Sequence, residues 1–250
     1  MATVHETWDS FWGPLLLLRF HADNPERWSV RETRAKDLWT LLDLSEGDRV
    51  VDLGCGDGVL DTCLARLGAR VTGVDRIGSV LRRAAAEAGA ATVEFRQGDL
   101  REVAFPEGSL AAVLMLEVAG LMSAADEENL FRRARTWLRP GGKLLLDSPL
   151  EPEQPDFAWT RDFPDGRLEV SGSYDRATRT QEMDLRFVRS DGAVVDLVDP
   201  YDPGRGRHAG LRRRLAAPEV LTAALERSGF TVNRHDHPSR GASYVLIGTA

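Results

Sequence analysis

Val50–Gly58 reads VVDLGCGDG, and this stretch decides the fold. Two valines and a leucine around Asp52 make the apolar run of a buried parallel strand. Gly54, Gly56 and Gly58 then turn it into a loop whose backbone passes close to a ligand. Val59–Leu67 reads as the helix that packs back on that strand. A strand, a glycine-rich turn and a helix form the nucleotide-binding corner of a doubly wound α/β fold.

The glycine spacing separates two kinds of ligand. A dinucleotide fingerprint needs G-x-G-x-x-G, but here the third glycine comes one residue early and Val59 stands where that fingerprint has glycine. Asp52 precedes the loop and Asp57 lies within it. Carboxylates there repel a pyrophosphate and suit a ligand with cationic groups. An isolated turn of this kind also serves as a plain strand–helix connection, so the elements that follow carry the decision.

Arg70–Asp75, RVTGVD, reads as a second strand ending in an acid, near the ~20-residue offset of a ribose-binding carboxylate. Asp75 also suits the N-cap of a helix from Ile77 onward, and both roles can coexist. Val93–Phe95 is a short third strand, followed by Gln97-Gly98-Asp99-Leu100. Leu110–Leu116, LAAVLML, is a fourth strand closed by Glu117, and Arg139–Asp147 a turn and a fifth.

In this order the segments resemble the class I S-adenosylmethionine (SAM) methyltransferases over about residues 48–149. VVDLGCGDG resembles their first motif, QGDL their adenine-side element, and LEVAGLM their strand that ends in Glu before an acceptor-side helix. The resemblance implies SAM as cofactor, with its cationic sulfonium and ammonium. It implies a Rossmann-like seven-stranded sheet in order 3-2-1-4-5-7-6, with the strand near Tyr244–Thr249 alone antiparallel. It implies that Asp75 holds the ribose, that Asp99 accepts from the adenine amine, and that the backbone at Leu100 reaches a ring nitrogen. The implied cofactor contacts are Arg31, Asp52, Gly54, Cys55, Gly56, Gly58, Asp75, Arg76, Asp99, Leu100, Leu116 and Glu117. Many relatives carry a Glu-His pair shortly after the fourth strand. The matching positions here are Gly120 and Leu121, so no histidine base is carried over.

Four parts are expected along the chain. Residues 1–47 read as helical, with Trp8, Phe11, Trp12, Leu15, Leu16 and Phe20 at helical spacings and a later helix from about Ser29 to Leu44. They form either a plain helical layer or a lid, from which Arg31 or Arg34 meets the SAM carboxylate. Residues 48–149 are the SAM-binding core. Residues 150–216 are an antiparallel insertion after the fifth strand, with strands at Arg167–Tyr174, Thr180–Arg189 and Val194–Asp199. It walls the acceptor pocket or makes a homodimer contact. Residues 217–250 complete the core with a helix at Pro218–Ser228 and a strand pair at Phe230–Arg234 and Tyr244–Thr249.

Bulk properties narrow the partners. The 250 residues carry a formal net charge of −7, which argues against a general nucleic-acid binder. A basic run at Arg205, Arg207, Arg212, Arg213 and Arg214 reads as the solvated face of a strand or loop, or as a surface for an acidic or phosphorylated acceptor. Two cysteines make no disulfide framework and fit a reducing cytoplasm. Leu15–Leu18 is too short for a signal or spanning segment, so no membrane partner is expected. No metal-ligand spacing is present.

Methyl transfer from SAM asks for placement and dryness more than for acid–base chemistry. The candidates facing an acceptor are Glu117, Asp147 and His21, with His5 and His208 behind them. A carboxylate suits a cationic amine and a histidine a hydroxyl. The expected reaction is methylation of an N or O atom of a small metabolite, with Trp159 and Tyr174 adding to the pocket. The alternatives are a non-methylating SAM-fold enzyme, such as a cyclase or decarboxylase, and a non-catalytic partner subunit. The acids at Asp52, Asp75 and Asp99 count against the last.

Overall fold

The structure is a computed structural model that describes residues 25–163, 166–196, 211–236 and 243–250. Helix α1 (Pro25–Leu41) comes first, shorter at its end than its apolar spacing predicts. The chain leaves it through Asp43, in the left-handed region at φ 56°, and the Leu44 N–H returns to the Trp39 carbonyl at 3.0 Å. That closure satisfies a last-turn carbonyl and stops the helix before Leu44.

The core then alternates β1 (Arg49–Leu53), α2 (Val59–Arg66), β2 (Arg70–Asp75), α3 (Gly78–Ala88), β3 (Val93–Gln97), β4 (Leu110–Met115), α4 (Ala124–Trp137) and β5 (Leu138–Pro149). It resumes after the insertion with α5 (Pro218–Arg227), β11 (Thr231–Asp236) and β12 (Ser243–Thr249). The main sheet runs β3-β2-β1-β4-β5-β12-β11. β12 is antiparallel to both β5 and β11, while the other pairings are parallel. This is the expected order, with β11 and β12 as the sixth and seventh core strands.

Side-chain alternation explains the two layers. Val50, Ala112, Leu114 and Leu145 point to one face, where they meet Ala35 and Leu38 of α1, Leu42 just beyond it, and Leu60 and Leu64 of α2. Val51, Leu53, Val113, Leu144 and Leu146 point to the other, against Leu130, Phe131 and Trp137 of α4 and Leu221 and Leu225 of α5. β4 is buried on both faces, as its unbroken apolar sequence requires, and β1 is buried from Val50 to Leu53, with Asp52 the one charged residue in that run.

The insertion is a second, antiparallel sheet of β6 (Asp156–Phe163), β7 (Gly166–Asp175), β8 (Thr180–Arg189), β9 (Val194–Asp196) and β10 (Leu211–Arg214). β7, β8 and β9 fall where the alternation places strands. β6 and β10 are additions to that expectation. β6 is an edge strand exposed along most of its length, so it carries no buried-face alternation. β10 is Leu-Arg-Arg-Arg, which reads as a charge run rather than a strand.

β10 is also what joins the two sheets. The Arg214 N–H donates to the Gly120 carbonyl at 2.9 Å, and Arg213 Nε donates to the Ala119 carbonyl at 3.1 Å. Just beyond, the Tyr244 hydroxyl of β12 donates to Ala216 at 2.9 Å. Among the described residues no helix is long and apolar enough to cross a membrane.

Phe131 is fully buried between α4 and the sheet. Phe131→Ala is expected to cost about 3–5 kcal/mol through lost burial and the cavity left behind. Urea denaturation followed by circular dichroism measures it; a loss below ~1 kcal/mol would show that α4 does not pack as described.

Candidate active site

A cavity of about 360 Å³ opens over the carboxyl ends of β1, β2 and β4, the edge at which open α/β sheets bind ligands. Its lining brings together Arg31, Asp52, Gly54, Cys55, Gly56, Asp75, Arg76, Asp99, Leu100, Leu116 and Glu117, from five separate stretches of chain. Gly58, the remaining cofactor candidate, does not line it. A Cβ there would stand 2.5 Å from the Phe95 ring and 2.9 Å from Ala84, so Gly58 lets α2 pack close to β3 and α3. Gly54 has φ 88°, and a Cβ on it would stand 2.6 Å from Val118. It keeps the loop against the β4–α4 connection.

Asp75 accepts two backbone bonds: its Oδ2 from the Gly56 N–H at 3.0 Å and its Oδ1 from the Ile77 N–H at 3.0 Å. One bond holds the glycine loop, and the other holds the turn before α3, whose N-cap is Ile77 rather than Asp75. Each carboxylate oxygen keeps a second lone pair for a ligand hydroxyl. Burial raises its pKa, against the pull of these backbone donors. Asp99 is held differently. The Arg101 side chain grips it from two nitrogens, at 3.0 and 2.7 Å, and the Arg101 N–H adds a third bond at 2.9 Å. That grip lowers its pKa and leaves an ionised acceptor at the rim of the cavity.

Asp52 is 3% exposed, and its Oδ1 has no hydrogen-bond partner among the described residues. Burial pushes its pKa up to about 7, opposed by the Arg34 guanidinium and reinforced by Asp147 and Asp75. Asp61, in the first turn of α2, is fully buried with neither carboxyl oxygen bonded, and burial together with Asp52 raises it as well. An orphaned buried carboxyl beside a cavity fits a ligand that brings donors or positive charge. This donor set fits the ammonium, sulfonium and ribose of SAM, which Arg31, Asp52, Gly56, Asp75 and Asp99 would hold.

Asp147 does not line the cavity. Its Oδ2 takes Arg34 Nη2 at 3.0 Å and its Oδ1 takes the Glu117 N–H at 2.5 Å. It is an anchor between β5, α1 and Glu117, two residues beyond β4. Glu117 does line the cavity, exposed, with φ 62°, a conformation unusual for a residue with a Cβ. His21, His5, His208, Arg205, Arg207, Trp8, Phe11 and Trp12 lie outside the described residues. Trp159 is 48% exposed and Tyr174 is buried, and neither borders the cavity.

The wall holds residues that motif reading did not single out: Leu60, Ile77, Gly98, Val118, Leu121 and Met183. Gly98, Val118 and Leu121 lie within the motifs themselves, and Leu60 and Ile77 one or two residues beyond one. Met183 and Arg213 reach the cavity only because the second sheet docks there. Among the described residues no three His, Cys, Asp or Glu side chains are placed to hold a metal ion.

Residues 50–142 match the family model described as a methyltransferase domain. The ubiquinone biosynthesis O-methyltransferase of Xanthomonas euvesicatoria pv. vesicatoria (strain 85-10) is 35% identical over 59% of this chain and 57% of its own. The trans-aconitate 2-methyltransferase of Paracidovorax citrulli (strain AAC00-1) is 34% identical over 60% of this chain and 55% of its own. The chain thus spans just over half the length of these curated relatives. In fold it is similar to the CcbJ methyltransferase from Streptomyces caelestis, with a TM-score of 0.70 at 19% identity, covering 87% of this chain and 88% of that one. It is also similar to SAM-bound CalS10, an amino pentose methyltransferase from Micromonospora echinaspora, with a TM-score of 0.67 at 18% identity, covering 88% and 91%.

Asp52 gives the site a pH signature. Its folded pKa of about 7 exceeds its ordinary value of 3.8. The folded state therefore binds the Asp52 proton more tightly, and this contribution to stability is full below pH 3.8 and is lost as pH rises through about 7. The urea midpoint of the ligand-free protein is expected to fall across that window, and less steeply in Asp52→Asn, which has no proton to lose. Identical pH slopes for the two proteins would contradict the assignment.

Proposed function

We propose that this chain is a class I S-adenosylmethionine-dependent methyltransferase that methylates an N or O atom of a small metabolite, a reading supported by the match of residues 50–142 to a methyltransferase domain. The observation that carries this reading is the meeting of two sheets over one cavity. The acid-rich loop of the main sheet supplies one end, and β8 and β10 of the insertion close the other with Met183 and Arg213. A chamber of that size, walled on several sides, suits a metabolite rather than a macromolecule.

When bound, SAM supplies a methyl group already activated by its positive sulfur. Asp75 takes the ribose hydroxyls, and Asp99, kept ionised by Arg101, accepts from the adenine amine. Arg31, on α1, faces the cofactor carboxylate. Asp52 answers positive charge, and Arg34 with Asp147 holds α1 over the site. Glu117 stands where β4 ends and the acceptor side begins, placed to orient an amine or to hold a proton from the acceptor. Leu116, Leu121 and Met183 keep water from the transfer, since hydration shields both the nucleophile and the sulfonium. The cytoplasm is the proposed location, on the two free cysteines. A homodimer contact through the insertion and a place in secondary metabolism belong to the same proposal.

Asp75→Ala is expected to weaken S-adenosylhomocysteine binding by about tenfold or more, the size of the charge-assisted bonds removed. Calorimetric titration measures this, and circular dichroism checks the fold, because the same carboxylate holds Gly56 and Ile77. Unchanged affinity would place the ribose elsewhere. With methyl-labelled SAM and cell extract, label is expected in the small-molecule fraction. Label in RNA or protein would overturn the metabolite reading, and no transferred label would favour a non-methylating use of the cofactor.

A further inference from the structure

Asp52 is the one charged residue in the buried run of β1. It borders the cavity, and its Oδ1 is unbonded among the described residues. We propose that Asp52 carries a proton in the ligand-free protein and releases it to solvent when a ligand brings a cationic group into the cavity, so that the site admits its charged nucleoside by exchanging a proton for a cation. This exchange rests on the cofactor reading of the site and goes further, to how the site answers the charge of that cofactor.

Enclosure comes first. Asp52 is 3% exposed, and a carboxyl group so placed must be paired or neutral. Its neighbours do not pair it fully. Arg34 and Arg31 face it from α1, Asp147 from β5, Asp75 from β2, Asp61 from α2 and the Cys55 thiol from the glycine loop, with Asp57 beside Asp61. Arg34, the stronger of the two cations on Asp52, is itself bonded to Asp147. Arg76 faces Asp75, and Glu117 and Arg213 border the same cavity. Asp61 offers no relief. It is fully buried with neither carboxyl oxygen bonded, so it keeps its own proton. The last point is access: the unbonded oxygen belongs to a side chain that lines the cavity, so a cationic donor can reach it. Burial pushes the Asp52 pKa up to about 7, and an arriving cation pulls it back down. The proton therefore leaves on binding at a pH below about 7. Affinity for a cationic ligand climbs as pH rises toward that value and levels off above it.

The whole protein is titrated calorimetrically with S-adenosylhomocysteine, whose ammonium supplies the cation, and with adenosine, which lacks the charged amino-acid portion. Each titration is run at about pH 6 and about pH 8 in two buffers of unlike ionisation enthalpy, and the difference in heat counts the protons released. S-adenosylhomocysteine is expected to release about half a proton or more at the lower pH and little at the higher, with affinity rising up to about tenfold between them. Adenosine is expected to release none at either pH. Asp52→Asn is expected to bind S-adenosylhomocysteine without releasing a proton. Asp61→Asn is expected to release as many as the natural protein, because its amide stands in for an acid that keeps its proton. Release that survives in Asp52→Asn, that vanishes in Asp61→Asn alone, or that adenosine matches would overturn the proposal. If Asp52→Asn fails to fold, the natural protein decides: a rising affinity with proton release supports the exchange, and a flat pH profile overturns it. Failure of S-adenosylhomocysteine to bind at any pH would refute the cofactor reading and the exchange together, whereas binding without proton release refutes the exchange alone.

Discussion

A carboxylate buried at the end of β5 organises the molecule. Asp147 is 3% exposed, and a charge so placed must be paired and hydrogen-bonded. It draws a guanidinium from α1 and an N–H from Glu117. The first contact brings α1 across the carboxyl edge of the sheet, where its neighbour Arg31 reaches the cavity. The second stations Glu117 in its left-handed turn, and from that turn the chain runs on to Ala119 and Gly120, where β10 docks. Both walls of the chamber therefore descend from one charged group. A buried pair of this kind adds little net stability over a well-packed apolar pair, yet is costly to break. Its contribution is to geometry.

The floor of the chamber is electrostatically tense. Asp52 and Asp61 are buried and Asp75 half-buried within one corner; Asp75 raises the pKa of both others, and Asp52 raises that of Asp61. Proteins avoid such crowding unless something relieves it. Here the relief available within the chain is Arg34 and Arg31, together with the backbone donors of Gly56 and Ile77. A cationic ligand would provide more. The corner is thus matched to a positive guest.

Local chemistry explains how much of this was legible beforehand. Val50–Gly58 had to be a buried strand entering a tight turn, and the strand order followed from apolar runs separated by helical ones. Asp75 could be placed because a strand end and a helix start coincide on it. Gly58 reads as a ligand contact from spacing alone, and spacing cannot tell a glycine that lines a cavity from one that faces Phe95, as Gly58 does. Asp147 looked like a candidate base because nothing local announces Arg34, 113 positions away in sequence. β6 and β10 went unread because one lies exposed at an edge and the other is a run of arginines. Met183 became a wall residue only through docking between sheets, which no short-range pattern encodes.

Gly120 carries one more consequence. Its φ is 86°, and a Cβ on it would collide with the Arg214 carbonyl oxygen. In the Glu-His pair of many methyltransferases that this core resembles, the glutamate falls at Gly120 and the histidine at Leu121. Any side chain at 120, that glutamate included, is incompatible with β10 as it lies here, because its Cβ would need the space that the strand's backbone occupies. Carrying a glutamate at that point and keeping an arginine-bearing wall are mutually exclusive designs. A lineage that adopts one must rebuild the other, so the residue at 120 records which kind of acceptor chamber the fold has committed to.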